Sequence, residues 1–398
     1  MIDLRTDIDE KILSVEPILL SSGYGDGGVL GQPEGLRTIG LVRVSSSSGV
    51  YGLGESYSAI YVPEIFEAVC NFLGAKLVGQ PLSHLSLLME GLDLPFVGRS
   101  GLFKSVSGAI EMALFDLIGK ILEVPCAHLI STEDMVFQKK VYASSGSAAL
   151  SPSEIVADAR ECIELGFSAY KMRIGYQEWS VDLERVRAAR RETLEAELMV
   201  DAIMGTIRPA WSLTTALTRQ KDLEEFGLRW LEEPLHPDDV RGLAALRNDS
   251  QVPIAAGEAY SSLSEYQNLI DLQAVDVLQI DVSHSGGFSN CLAIAQELKR
   301  TKLCSIAMHT WGSPVAIAAN LSFAVCNQVV EYMEMPMVTL KVGEEMWIDP
   351  PRIENGVVVV DDQPGLGVIL ESETISRYPY VPNTGYRLPS RSQVVSRS

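Results

Sequence analysis

The chain has 398 residues, of which 46% are hydrophobic and 21% charged, an ordinary globular composition rather than a disordered or collagen-like one. Such a length points to two domains or to one large barrel with additions. Against 52 Asp+Glu there are only 32 Lys+Arg, a net charge of −20, and with no basic stripe this excludes nucleic acid as a partner; it argues at first sight against an anionic small molecule too.

The opening MIDLRTDIDEK is charged and carries no apolar stretch of signal-peptide length. No later run approaches the roughly 18 apolar residues of a membrane span. The six cysteines (Cys70, Cys126, Cys162, Cys291, Cys304 and Cys326) are scattered, form no CxxC pair and read as reduced core residues. Together these features predict a cytoplasmic protein with no membrane partner.

Residues 1–135 mix strand and helix signals. Residues 39–46 alternate like a strand, Ser47–Gly49 turns, and Val50–Leu53 returns, which predicts a hairpin. Before it, SSGYGDGG (21–28) reads as a glycine-rich loop that is either a plain turn or a mobile lid, from which Tyr24 or Asp26 reaches a ligand. Pro63 opens a helix with Ile65, Phe66, Val69, Phe72 and Leu73 on one face. A second helix covers about 105–121.

From residue 136 to 340 short apolar runs alternate with amphipathic helices. The strands read as KKVYASS (139–145), AYKMRIG (169–175), ELMVDA (197–202), LRWLEEP (228–234), VPIAAGE (252–258), DVLQID (276–281), LCSIAMH (303–309) and VVEYME (329–334). Eight such repeats predict an α/β fold, a modified TIM (β/α)-barrel, joined to an α+β capping domain. Residues 341–398 return to short strands and end in a polar tail, YRLPSRSQVVSRS, expected to be mobile.

In barrels of this kind chemistry sits at the C-terminal strand ends. Those ends carry Lys171 and Arg173, Asp201, Glu232, Glu258, Asp281, His309 and Glu331. Three carboxylates from consecutive strands, Asp201, Glu232 and Glu258, repel one another unless a cation lies between them, and hard oxygen ligands without clustered Cys or His favour Mg²⁺. Strand alternation points Glu232 and Glu233 to opposite sides, so only one can be a ligand. Lys171 and Arg173, two apart, point the same way into the mouth. Asp281 beside His309 makes the imidazole a usable base. Tyr142, Ser144 and Ser145 end the first strand and are candidate contacts for substrate hydroxyls. The remaining histidines, His84, His128, His236 and His284, lack such a setting and read as surface or loop residues, His284 in a βα loop from which a substrate contact is the alternative.

Taken in order, the motifs AIEMALFDLIGK (109–120), YKMRIG (170–175), MVDA (199–202), WLEEP (230–234), AAGE (255–258), QIDVSHSGGFS (279–289), AMHTWGSP (307–314) and VEYME (330–334) resemble the enolase superfamily, in its mandelate racemase/muconate-lactonizing branch. The resemblance spans nearly the whole chain. It implies a capping domain built from residues 1–135 and part of the C-terminal stretch, and Mg²⁺ held by Asp201, Glu232 and Glu258. It also implies an Asp281–His309 dyad with His309 as base or acid, charge neutralisation by Lys171, and a hydrogen bond from Glu331, or less well Glu334, to a substrate carboxylate. Symmetric homo-oligomers are common in the family, so a homo-oligomer is expected.

Two positions depart from the family pattern. Arg173 stands where racemases of this branch have a second lysine base, and arginine stays protonated. Ile203 stands where the family often has Asn. The combined expectation is abstraction of the proton α to a carboxylate, with an enediolate stabilised where charge develops, an arrangement known for enolase-type sites in general. Dehydration of an aldonic or aldaric sugar acid needs one good base and leads; a lactone cycloisomerase is the nearest alternative, then a racemase or epimerase. A non-catalytic acid-binding relative would be expected to have lost part of the dyad or the carboxylate set, and all are present.

Overall fold

The computed structural model describes residues 8–25, 32–131, 135–360 and 362–389. Its first unit is an antiparallel sheet of β1 (Ile12–Gly23), β2 (Leu36–Ser46) and β3 (Tyr51–Glu55), backed by α1 (Pro63–Gly74), α2 (Leu85–Leu92), α3 (Leu102–Leu122) and α4 (Cys126–Ile130). Residues 21–23, expected in a loop, belong to β1, where Ser21 faces Thr38 and Gly23 faces Leu36. Tyr24 and Gly25 follow directly, and Asp26, with the rest of the expected lid to 28, lies outside the described residues. The buried stripe of α1 is Phe66, Val69, Cys70 and Leu73, whereas Ile65 and Phe72 are exposed, so the helix is rotated from the expected face.

The second unit alternates strand and helix: β4 (Gln138–Ser144), α5 (Pro152–Glu164), β5 (Ala169–Arg173), α6 (Trp179–Thr193), β6 (Glu197–Asp201), α7 (Leu213–Leu223) and β7 (Trp230–Glu232). It continues through α8 (Val240–Asp249), β8 (Ile254–Ala256), α9 (Leu263–Asp271), β9 (Val277–Ile280), α10 (Gly287–Thr301), β10 (Ser305–Met308), α11 (Pro314–Val325) and β11 (Val330–Pro336). Helix starts follow local chemistry. Ser151 and Glu154 form a capping box ahead of Pro152, and Ser313 caps α11 ahead of Pro314. β4 to β11 are parallel neighbours, and pairing of β11 with β4 closes the barrel.

One residue from each of the eight strands (Tyr142, Ala169, Met199, Trp230, Ala255, Val277, Ala307 and Tyr332) packs into a single interior cluster, with large and small side chains interleaved. Because inward positions recur every second residue, the next layer toward the C-terminal mouth is Ser144, Lys171, Asp201, Glu232, Gly257, Gln279, His309 and Glu334. The packing layer therefore dictates the polar ring above it.

β12 (Arg352–Glu354) and β13 (Val357–Val359) add antiparallel to β4, extending the barrel sheet. Later residues, among them α12 (Ser372–Arg377), return to the capping unit: Leu20 bridges to Pro379, and Tyr386 donates its N–H to Ile60 and stacks edge-on against Tyr61. The start of the tail is thus docked; its residues from 390 lie outside the described residues.

Three buried acids of the cap accept backbone N–H groups from elsewhere in the chain. Glu55 takes those of Ser313 and Ala316 at the start of α11, Glu111 takes that of Ser289 in α10, and Asp116 takes those of Leu53 and Leu366. Glu55 and Glu111 thus take N–H groups of the first turns of α11 and α10, which have no partner within their own helix. Among the described residues no helix is long and apolar enough to cross a membrane. All six cysteines are free, five of them buried.

Candidate active site

Strand register brings Lys171, Arg173, Asp201, Glu232, Asp281 and His309 to one mouth. Arg173 is level with Asp201, and Asp201 with Glu232, across adjacent strands. Ile280 is level with Met308, so Asp281 and His309 each follow by one residue. Lys171 lies at the centre. Its Nζ is 2.5 Å from Glu232, 2.9 Å from Glu334 and 4.0 Å from Asp201. Burial alone would strip its proton, but Glu232 and Glu334 hold the ammonium well above the usual lysine range.

The histidine is fully framed. His309 Nδ1 lies 2.9 Å from Asp281 Oδ2, and a carboxylate there fixes Nδ1–H as donor and leaves Nε2 facing the site. Asp281 Oδ1 accepts from Ser283 N at 2.8 Å, Ser283 Oγ at 2.7 Å and Asn320 Nδ2 at 2.9 Å. Burial pushes the imidazole down, but Glu258, 3.7 Å from Nε2, and the Asp281 hydrogen bond outweigh it and hold the pKa at about 9. Tyr57 of the cap packs edge-on against His309, with ring centres 5.4 Å apart.

Arg173 is immobilised. Its Nη1 donates to Ser145 O at 2.5 Å and its Nη2 to Ser144 Oγ at 2.9 Å, and the guanidinium lies 4.8 Å from the centre of the Trp311 ring. Ser144 and Ser145 thus hold a cation rather than face open space. Tyr142 belongs to the packed interior layer below: it is 0% exposed, its ring lies 5.3 Å from Lys171 Nζ, and its hydroxyl has no partner. A substrate contact through that hydroxyl does not fit the geometry. Tyr24 is buried beside Trp311, with its hydroxyl likewise unpartnered.

Glu331 is a correction. It takes both oxygens' worth of hydrogen bond from Arg229 at 2.7 Å, beside Glu197 at the start of β6. That is the opposite end of the barrel from the mouth. β11 runs three residues beyond Met333, and parity with inward Tyr332 selects Glu334. Glu334 accepts from Thr310 N at 2.8 Å and Trp311 Nε1 at 3.1 Å as well as from Lys171. Burial raises its pKa, yet Lys171 and His309 bring it down to about 2.

Trp230, Glu233 and Gln279 take places that strand alternation alone does not give. Trp230 Nε1 donates to Glu232 Oε2 at 2.9 Å. Glu233 lies past the end of β7 with φ of 41°, so strand alternation no longer governs it; burial and then Glu258 push its carboxyl well up. Gln279 completes the ring with both amide atoms buried and unpartnered.

Among the described residues no group of three His, Cys, Asp or Glu side chains is closed around a metal position. The donor chemistry nevertheless suits a hard divalent cation. Burial and then Glu232 push Asp201 well above the usual carboxylate range, and burial raises Glu258 too, so negative charge here is under-compensated.

Two family profiles match the chain: "Mandelate racemase / muconate lactonizing enzyme, N-terminal domain" over residues 35–131 and "Enolase C-terminal domain-like" over residues 154–374. The L-talarate/galactarate dehydratase of Salmonella typhimurium is 31% identical over 378 residues, covering 91% of this chain and 88% of its own. The D-galactarolactone cycloisomerase of Agrobacterium fabrum is 30% identical over 355 residues, covering 85% and 90%. In three dimensions the chain is similar to L-talarate dehydratase from Polaromonas sp. JS666 complexed with Mg and L-glucarate, at 28% identity and a TM-score of 0.78, covering 94% of this chain and 98% of that one.

Proposed function

Because the chain belongs to the mandelate racemase/muconate lactonizing enzyme family of the enolase superfamily, and with it removes the proton α to a carboxylate, we propose that its reaction is the dehydration of a sugar acid. One observation carries this choice. Among the described residues Nε2 of His309 is the base we place beside the reacting carbon, while Arg173, at the position where racemases of this branch have a second lysine, is a guanidinium held by Ser144 and Ser145 that does not accept a proton. A two-base inversion lacks its second base; an elimination needs one.

Asp201, Glu232 and Glu258 would hold Mg²⁺, which when bound supplies positive charge to the substrate carboxylate. The protein's own groups do the rest. Lys171 faces the oxygens on which negative charge grows as the α C–H bond breaks. His309 Nε2 takes the proton, and Asp281 stabilises the imidazolium that results. Against burial, Glu258 and the Asp281 hydrogen bond both favour the protonated imidazole, and a cation held by Glu258 would weaken the first of these, which suits Nε2 to accept the proton. The electron pair of the α C–H bond forms a C=C bond, the β C–O bond breaks, and the imidazolium returns its proton to the departing hydroxide as water. The enol left behind tautomerises to a 2-oxo-3-deoxy acid.

A second reading, cycloisomerisation of a sugar-acid lactone, uses the same proton removal with the ring oxygen as leaving group. The 30% identity to a D-galactarolactone cycloisomerase favours keeping it. Incubating aldonic acids, aldaric acids and their lactones with Mg²⁺ in D₂O separates the two. We expect loss of water from an acid, with deuterium entering at C3 of the 2-oxo-3-deoxy product as its enol tautomerises. Conversion of a lactone, without loss of water, into an isomeric open-chain 2-oxo-3-deoxy acid with deuterium at C3 would assign the second reading, and no turnover or exchange with any compound would remove both. Added EDTA should abolish turnover.

A further inference from the structure

We propose that the substrate is a dicarboxylate, an aldaric acid, whose non-reacting carboxylate is seated on Arg37 and Tyr24 of the cap; this rests on the reading that the other carboxylate is activated at Lys171. Arg37, on β2, is 5% exposed and brings five N–H donors into the space between cap and barrel. Among the described residues one of them has a partner, Nη2 donating to Trp311 O at 2.5 Å. Among the described residues no carboxylate lies within ion-pair distance of Arg37. The nearby acid, Glu55, is consumed by Ser313 and Ala316. Around the guanidinium stand the rings of Tyr24 at 4.8 Å, Trp311 at 5.9 Å and Tyr57 at 6.0 Å. Aromatic faces soften the cost of a buried cation but leave its in-plane donors unfilled.

Tyr24 supplies a second, independent orphan. Its hydroxyl is buried with no partner, and the charges acting on it are Arg37, Arg173 and Glu334. The hydroxyl therefore lies where the cap cation meets the barrel-mouth groups. The span also suits the ligand. Tyr57 separates the Arg37 guanidinium from the His309 ring by 6.0 Å and 5.4 Å, so the two are at most about 11 Å apart. Five C–C bonds of ~1.5 Å give an extended six-carbon acid a span of roughly 6 Å, and each end then needs one hydrogen bond of about 3 Å. An aldonic acid ends in a hydroxymethyl group and leaves the guanidinium unpaired; an aldaric acid pairs it. Sites built to satisfy a buried polar group reject analogues that lack the partner.

The plainer role for Arg37 is a stacked tie between cap and barrel, and the test separates the two. In a His309→Asn background with Mg²⁺, where binding is measured without turnover, calorimetry compares paired hexaric and hexonic acids of the galacto, gluco, manno and talo series. We expect the best hexarate to bind about 100-fold tighter than its hexonate, Arg37→Met to close that gap to within threefold, and Tyr24→Phe to narrow it several-fold. Removing an unpaired buried charge should also keep or raise the melting temperature. Equal affinities for the two acid classes overturn the proposal, as does a parallel loss for both in Arg37→Met accompanied by a lower melting temperature. Loss of water with deuterium entering at C3, by the unmutated protein in D₂O, is scored separately, so a failure there removes the dehydratase reading while the binding arm still decides the seat.

Discussion

Replacing Asp281 by Asn keeps the shape of the site and changes one proton. Oδ1 of Asp281 faces three donors, Ser283 N, Ser283 Oγ and Asn320 Nδ2, at 2.7–2.9 Å, while Oδ2 faces His309 Nδ1 alone. An amide in this place must turn its oxygen toward the three donors, since the other orientation sets its NH₂ against all of them. At about 1 kcal/mol or more per spoiled contact, the preference is at least roughly 3 kcal/mol, above a hundredfold. The amide nitrogen is then left against Nδ1, which must present its lone pair, and the ring proton moves to Nε2. That is the atom that has to accept the substrate's α-proton. A histidine forced into the wrong tautomer elsewhere loses about 10⁴ in rate, and we expect a loss of roughly 10³–10⁴ here with little change in substrate affinity. Proton NMR of α-exchange in D₂O reads the rate, and the ¹⁵N spectrum of the imidazole reads the tautomer. Exchange above a tenth of the wild-type rate, or a spectrum showing Nε2 without its proton, would refute the reasoning.

Other outcomes follow from the buried charges and the close approaches. Lys171→Met leaves Glu232 and Glu334 buried without their cation, and should cost about 3–5 kcal/mol in urea unfolding, partly restored by Mg²⁺; undiminished stability would contradict the central position of the lysine. Burial raises Glu111 to about 7, so its protonated form is the one favoured in the fold: the associated stability is fully present below the unfolded value near 4.5 and is lost as pH rises through 7. Wild type should therefore lose up to about 3 kcal/mol between pH 5 and pH 8 relative to Glu111→Gln, and parallel pH curves would rule this out. Gly108→Ala would put a methyl 2.4 Å from Gly287 N where α3 crosses α10, and should lower stability by about 1–3 kcal/mol; a neutral result would mean the two helices separate without cost.

How far the sequence could be read depended on whether a short-range rule governed the element. The eight barrel strands were legible because each is an apolar run bounded by helix and turn signals, and the register of parallel neighbours then brings Asp201 level with Glu232. β1 was not legible. Its Pro17 argues against a strand, but β1 has β2 as its one partner in the cap sheet, and an edge strand tolerates the missing N–H. Choosing Glu331 over Glu334 was a parity error that Tyr332 could have corrected once the inward layer was known. Glu233 escaped the alternation rule because its backbone turns to positive φ. Arg37 and Tyr57 are different in kind. Their importance comes from the meeting of cap and barrel, and no periodicity within β2 announces which barrel residue stands opposite. The net charge of −20 misled for the same reason, since it averages over a surface and is silent about Lys171, Arg173 and Arg37 gathered in one place.

The return of residues 378–386 to the cap also sets an order of assembly. Ser21 and Thr384, 363 positions apart, meet at 3.3 Å, Thr38 meets Thr384 at 2.9 Å, and Val381 donates its N–H to Ser21 Oγ. The cap sheet emerges from the ribosome well ahead of the barrel, yet its edge is fastened by segments made after β11. At about 5–20 residues per second, the cap waits tens of seconds for that fastening. The seam between the cap sheet and the returning segment is therefore among the last contacts of the protein to form, and its loosening need not unfold the barrel.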